Sequence, residues 1–131
     1  MIAMKYTALV TLLACVFTFV LSGRAGAMRG KHGVNAPATA GNEEFEKAFR
    51  IHANTVEQLV LFVPVLWMAT MVIGDLYAAA IGAVWLVGRF MYSGAYMKNP
   101  PSRTPGMVTT VLATGVLALV SAWGIIAAFL A

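Results

Sequence analysis

Three residues in the stretch 43–57 have the types and spacing to hold a charged ligand. Arg50, Asn54 and Glu57 stand four and then three residues apart. On a helix turning roughly 100° per residue they fall within about 60° of one another, on one face. A cation and an amide in one row can bind and orient an anion, and a carboxylate can take an ammonium. The stretch runs into the apolar segment 58–74, so its second half enters a membrane. A polar row at that depth is costly unless something polar sits against it. Arg89, Tyr92 and Tyr96, three and four residues apart, form a second one-face row, and Arg103 follows after six more residues.

The elements that position these rows follow from composition. Of 131 residues, 60% are hydrophobic and only 11% are charged. Soluble domains carry about 25% charged residues, so that class is excluded. A membrane helix needs roughly 20 apolar residues, and four such spans fit, at about 2–21, 51–73, 76–97 and 106–131. The expected fold is an all-α integral membrane protein, a four-transmembrane-helix bundle in one domain spanning the chain.

The first span is broken only by Lys5. A lysine, an apolar core and Ala25-Gly26-Ala27 also describe a cleavable secretory signal. Leu12-Leu13-Ala14-Cys15 faintly resembles a lipoprotein cleavage box. The apolar run continues past Cys15 and fills a bilayer thickness, so a retained helix is the reading taken. Residues 22–41, with Gly23, Gly26, Gly30, Gly33 and Pro37, show neither helical nor strand periodicity and read as a polar loop. Asn42-Glu43-Glu44 is a helix start, a capping amide followed by acids in the first turn. Pro64 is expected to kink the helix so begun. Gly74-Asp75 is a tight turn, and Ala78, Gly82 and Gly88 suit close packing of the third span. Lys98-Asn99-Pro100-Pro101 ends that span.

The net charge of +4 is distributed as loop charge rather than as a nucleic-acid footprint. Arg24, Arg29, Lys31, Lys47 and Arg50 flank the first connection, Lys98 and Arg103 the third, and the second has no basic residue. The positive-inside rule then puts the first and third connections, and the polar rows, on the cytoplasmic side with both termini outside. Lys5 alone dissents. A single cysteine excludes an intrachain disulfide and any multi-cysteine metal site, and His52 reads as a polar-edge or inter-helix residue rather than a ligand to metal.

Each polar residue also has a plain structural use. A Glu57–Arg89 pair would permit burial of both, with or without a functional role. Arg50 would suit the headgroup region, and Tyr92 and Tyr96 an interfacial aromatic belt. Two same-face polar rows in a chain with so few charges argue for more than this.

Phe45-Glu46-Lys47-Ala48-Phe49-Arg50-x3-Asn54-x2-Glu57 resembles the signature of the MAPEG family, membrane-associated proteins in eicosanoid and glutathione metabolism. Arg89-x2-Tyr92-x3-Tyr96-x6-Arg103 resembles the later motif of its leukotriene C4 synthase branch. The resemblance covers nearly the whole chain. It implies a homotrimer of four-helix protomers with glutathione held between neighbours. Arg50, Asn54 and Glu57 would bind glutathione, Arg89, Tyr92 and Tyr96 would join them from the next protomer, and Arg103 would stabilise the thiolate. Arg29 matches, loosely, an arginine at the end of the first span. The prostaglandin synthase branch has an additional arginine just before the motif's Asn, where this chain has Ala53, which weighs against prostaglandin-type chemistry.

These side chains suit that chemistry. A free thiol titrates near ~8.5, so little is thiolate at neutral pH, and a guanidinium beside the sulfur favours the anion. The expected activity is a membrane glutathione S-transferase that attacks lipophilic electrophiles, with a peroxidase reaction on lipid hydroperoxides. A bacterial inner membrane is the expected location, since no retention or sorting motif is present. Two other classes compete: a non-catalytic lipid-binding or scaffold protein of the same family, and a small transporter or channel subunit gated by Glu57 and Arg89.

Overall fold

The computed structural model describes residues 2–131. Four long helices follow in order: α1 (Lys5–His32), α2 (Glu43–Ile73), α3 (Asp75–Lys98) and α4 (Thr104–Leu130), the last preceded by a 3-10 turn, Pro100–Arg103. No strand occurs among the described residues. Each helix is long and apolar enough to cross a membrane. Leu12, Phe19 and Val20 on α1 and Leu112, Leu119 and Phe129 on α4 are exposed, as lipid-facing side chains should be. The chain is an integral membrane protein.

The helices begin and end for local reasons. Asn42 caps α2, its side-chain oxygen accepting from the Phe45 N–H at 3.1 Å, with Glu43, Glu44 and Glu46 in the first turn complementing the helix dipole. One residue, Gly74 at φ 89°, joins α2 to α3. Pro100 and Pro101 stop α3 at Lys98 and open the 3-10 turn.

The first connection differs from the expected polar loop over 22–41. α1 continues through Ser22 to His32, leaving 33–42 as the connection. Gly23, Gly26 and Gly30 face open space and break nothing. The true end is Gly33, left-handed at φ 63°, where the Val34 N–H returns to the Arg29 carbonyl at 3.1 Å. Arg29, Lys31 and His32 in the last turn also favour that terminus.

α2 packs against the other three helices, with α3 beside it and α1 and α4 on the flanks. The main core joins Val10 and Ala14 of α1, Phe62, Leu66 and Ala69 of α2, Ala78 and Trp85 of α3, and Leu117 of α4. Phe62 and Trp85 stack at 4.1 Å between centroids. Small residues set the closest crossings. A Cβ on Gly106 would lie 2.4 Å from the Tyr92 nitrogen and 2.8 Å from the Gly88 carbonyl oxygen, so α3 and α4 touch backbone to backbone there. One end of the bundle is fastened by Asp75, whose carboxylate accepts from the Tyr6 and Thr7 N–H groups at 3.0 and 2.8 Å. The Thr7 and Thr70 hydroxyls meet beside it at 2.8 Å.

Candidate functional site

The opposite end gathers the polar rows. On α2, Arg50 and Glu57 are exposed and Asn54 is half-buried, while on α3 Arg89 and Tyr92 are buried and Tyr96 is half-buried. Both rows form because regular helix runs through each, so the spacing read from sequence becomes a face.

Arg89, only 1% exposed, is the junction between the rows. Its Nη2 donates to the Asn54 side-chain oxygen at 3.0 Å and to the Thr55 hydroxyl at 2.8 Å. Thr55 donates its own proton to the Ile51 carbonyl at 2.8 Å, leaving a lone pair for the guanidinium. The Arg89 guanidinium also lies 4.1 Å from the Tyr92 ring centroid, a cation–π contact. A guanidinium only donates, so its bond fixes the Asn54 amide with oxygen inward and the –NH2 group free to meet an acceptor. The expected Glu57–Arg89 pair does not form. Arg89 points to Asn54 and Thr55, and Glu57 has no cationic partner within 4 Å among the described residues.

Above this junction lies an open cleft of about 500 Å³, with Glu46, Phe49 and Arg50 on the α2 side and Tyr96 and Pro100 opposite, under Thr39 of the first connection. Pockets for small ligands commonly measure ~300–1,000 Å³. Tyr96 lies 5.6 Å from Tyr92, ring to ring, and 5.7 Å from the Arg103 guanidinium. Arg103 is aimed by the 3-10 turn that carries it, its Nη1 donating to the Pro100 carbonyl at 3.0 Å. Thus within one chain Tyr96 shares the cleft with Arg50 and lies beside Arg103. An exposed guanidinium binds a carboxylate in bidentate fashion, and a second guanidinium beside a phenol stabilises a developing anion.

Arg29 is placed differently. Its Nη1 donates to the carbonyls of Val34 at 3.2 Å and Ala38 at 2.8 Å, and its guanidinium lies 4.6 Å from the Phe45 ring. It fastens the first connection onto α2 and does not line the cleft.

Two polar residues of this end escaped the sequence reading. Thr55 is one, and its signal was its place beside Asn54, about 100° round the helix toward α3. Arg24 is the other. By sequence it is one of the first connection's charges, and in the structure it stands on α1 and donates to the Ser93 hydroxyl at 3.0 Å.

The chain's relatives bear on what such a site does. The MAPEG family model matches residues 7–123. The chain belongs to the MAPEG family. Among its MAPEG relatives, an uncharacterized protein of Synechocystis sp. is 40% identical over 112 residues, 86% of this chain and 82% of that one. The human microsomal glutathione S-transferase 2 is 34% identical over 107 residues, 82% and 73% of the two chains. The leukotriene C4 synthase of Bos taurus is 31% identical over 121 residues, 92% and 81%. The cyanobacterial relative is consistent with a bacterial origin for this MAPEG chain, and the two mammalian relatives support a glutathione-related transferase function.

Proposed function

We propose that this MAPEG protein is a glutathione S-transferase of the bacterial inner membrane, with glutathione peroxidase activity toward lipid hydroperoxides. The observation that carries the reading is the cleft itself, where Arg50 and Tyr96 face one space above the Arg89–Asn54 junction and Arg103 stands beside Tyr96. The donor set fits glutathione, which has two carboxylates, one ammonium and one thiol. Arg50 and the outward amide of Asn54 take a carboxylate, and Glu57 takes the ammonium. Tyr92 and Arg89 hold the wall in shape, while Tyr96 and Arg103 attend the sulfur. Arg103 lowers the thiol's proton affinity by placing a fixed cation beside it.

In conjugation, the sulfur lone pair forms a C–S bond as the electrophile's leaving group departs with its bonding pair. With a hydroperoxide, two glutathione thiols are oxidised to the disulfide and the peroxide is reduced to alcohol and water. The apolar substrate arrives from the bilayer between helices, and the polar reagent from water on the cytoplasmic side. In this reading the active unit is a homotrimer. The exposed Glu57 carboxylate on a membrane helix supports it, since a neighbouring protomer would cover that face and bring Arg29 to the shared site.

The test is isothermal titration of glutathione into detergent-purified protein, with Arg50→Ala and Glu57→Gln alongside. Saturable binding lost in both variants, with turnover of a reactive aryl halide by the parent, supports the proposal. Folded protein that binds no glutathione overturns it.

A further inference from the structure

Arg24 is a charge without a countercharge. It is half-buried on α1, Ser93 is its hydrogen-bond partner, and no carboxylate lies within 4 Å of it among the described residues. Its Nε is buried with no partner at all. A neutral hydroxyl does little to offset a guanidinium in a membrane protein, where unpaired cations are costly.

Depth decides what can complete it. Arg24 stands 19 residues beyond Lys5 on one continuous helix, about 28 Å along the axis at 1.5 Å per residue. That nearly equals the ~30 Å thickness of the hydrocarbon core. With Lys5 at one boundary, Arg24 lies at the other, at the level of lipid phosphates.

Directly below it runs an apolar groove of about 340 Å³, lined by Leu13, Val16, Phe17 and Val20 of α1 and Leu86 and Phe90 of α3. The rings of Phe17 and Phe90 meet at 4.5 Å between the two helices. Val20 precedes Arg24 by one turn, and Phe90 precedes Ser93 by one turn, so the Arg24–Ser93 pair caps both walls of the groove. From Leu13 to Val20 the groove follows about 10 Å of helix, from close to the bilayer midplane up toward Arg24. An apolar slot within one leaflet, ending at a partnerless guanidinium at phosphate depth, has the polarity of a single lipid molecule.

We propose that Arg24 and the α1–α3 groove hold an anionic phospholipid of the leaflet on the loop side, its phosphate on the Arg24 guanidinium and one acyl chain between Phe17, Val20 and Phe90. Arginine is suited to the phosphate because its planar fork bonds two oxygens at once. The net negative headgroup supplies the charge that Ser93 lacks, which a zwitterionic headgroup does not. The site lies apart from the Arg50–Tyr96 cleft and stands whether or not the glutathione reading holds.

The test is native mass spectrometry of the delipidated, detergent-purified full chain with phosphatidylglycerol and phosphatidylcholine of identical acyl chains. Inorganic phosphate is a third arm. The parent protein is expected to retain phosphatidylglycerol about fivefold more than phosphatidylcholine, the worth of one basic residue at an anionic surface. Arg24→Gln is expected to erase that preference, Arg24→Lys to keep part of it, and Val20→Trp, which fills the groove while keeping the charge, to lower retention of both lipids. Equal retention of the two lipids by the parent overturns the proposal. So does an unchanged preference in Arg24→Gln, or inorganic phosphate bound as well as phosphatidylglycerol. If Arg24→Gln does not fold, Val20→Trp decides: unchanged phosphatidylglycerol retention there overturns the groove.

Discussion

Arg89 of α3 donates to the side-chain oxygen of Asn54 on α2 at 3.0 Å, from a position 1% exposed. The buried residue of one polar row thereby sets the orientation of the half-buried residue of the other. The direction in which Asn54 presents its amide is therefore set by a residue that solvent does not reach.

Thr55 shares that guanidinium, and its replacement tests the coupling. Thr55→Val keeps the shape but removes one of two acceptors, and is expected to lower stability by about 1–2 kcal/mol. Thr55→Ser should restore it. Thermal unfolding of the three proteins in one detergent measures this, and equal midpoints would refute a structural role for the bond. Arg89→Lys should weaken glutathione binding about tenfold, because an ammonium lacks the fork that serves Asn54 and Thr55 together.

Arg103 is expected to act on the thiol rather than on binding. Its removal raises the thiol's pKa toward ~8.5, since the guanidinium favours the anion. The loss in Arg103→Ala should therefore be greatest at low pH, about tenfold or more at pH 6.5, and shrink as pH approaches 9, where the thiolate forms unaided. A loss constant across that range would assign Arg103 to substrate positioning instead.

The two rows were legible because Asn42, Pro100 and Pro101 punctuate the chain clearly and helical spacing turns residue order into faces. What could not be read was how each helix is rotated against its neighbour. Opposite charge suggested Glu57 for Arg89, but helix rotation delivered Asn54 and Thr55. The end of α1 was misread for a different reason. Gly23, Gly26 and Gly30 lower helix propensity, yet the outward glycines only forgo contacts, and the stop is the left-handed Gly33. Arg24 and Arg29 were then assigned to a loop when both belong to α1.

The extended α1 meets α2 outside the membrane through Glu44, which accepts from His32 at 2.6 Å and Lys31 at 3.2 Å. Those two partners hold its carboxyl below the usual carboxylate range. A depressed carboxylate stabilises the fold above its unfolded pKa and loses that contribution as pH falls through the lower folded value. Glu44→Gln is thus expected to melt earlier than the parent near neutral pH, with the gap closing well below pH ~4.3. A gap that persists in acid would mean the ion pairs are not its source.

The α3–α4 crossing is tested by Gly106→Ala. The new methyl collides with the Tyr92 nitrogen and the Gly88 carbonyl, which are backbone and cannot turn aside. A cost of about 1–3 kcal/mol is expected, with Gly115→Ala, which meets nothing within 4 Å, as the neutral control. Equal melting of the two variants would show that the helices separate freely.

The bundle is built like a tuning fork. At the stem, a single residue joins α2 to α3 and the Asp75 carboxylate clasps the start of α1. At the tines, a ten-residue strap and a 3-10 turn join helices that end far from that clasp. Arg50, Tyr96 and Arg103 sit at the tines, so lengthening either connection is expected to reshape the cleft while leaving the stem intact.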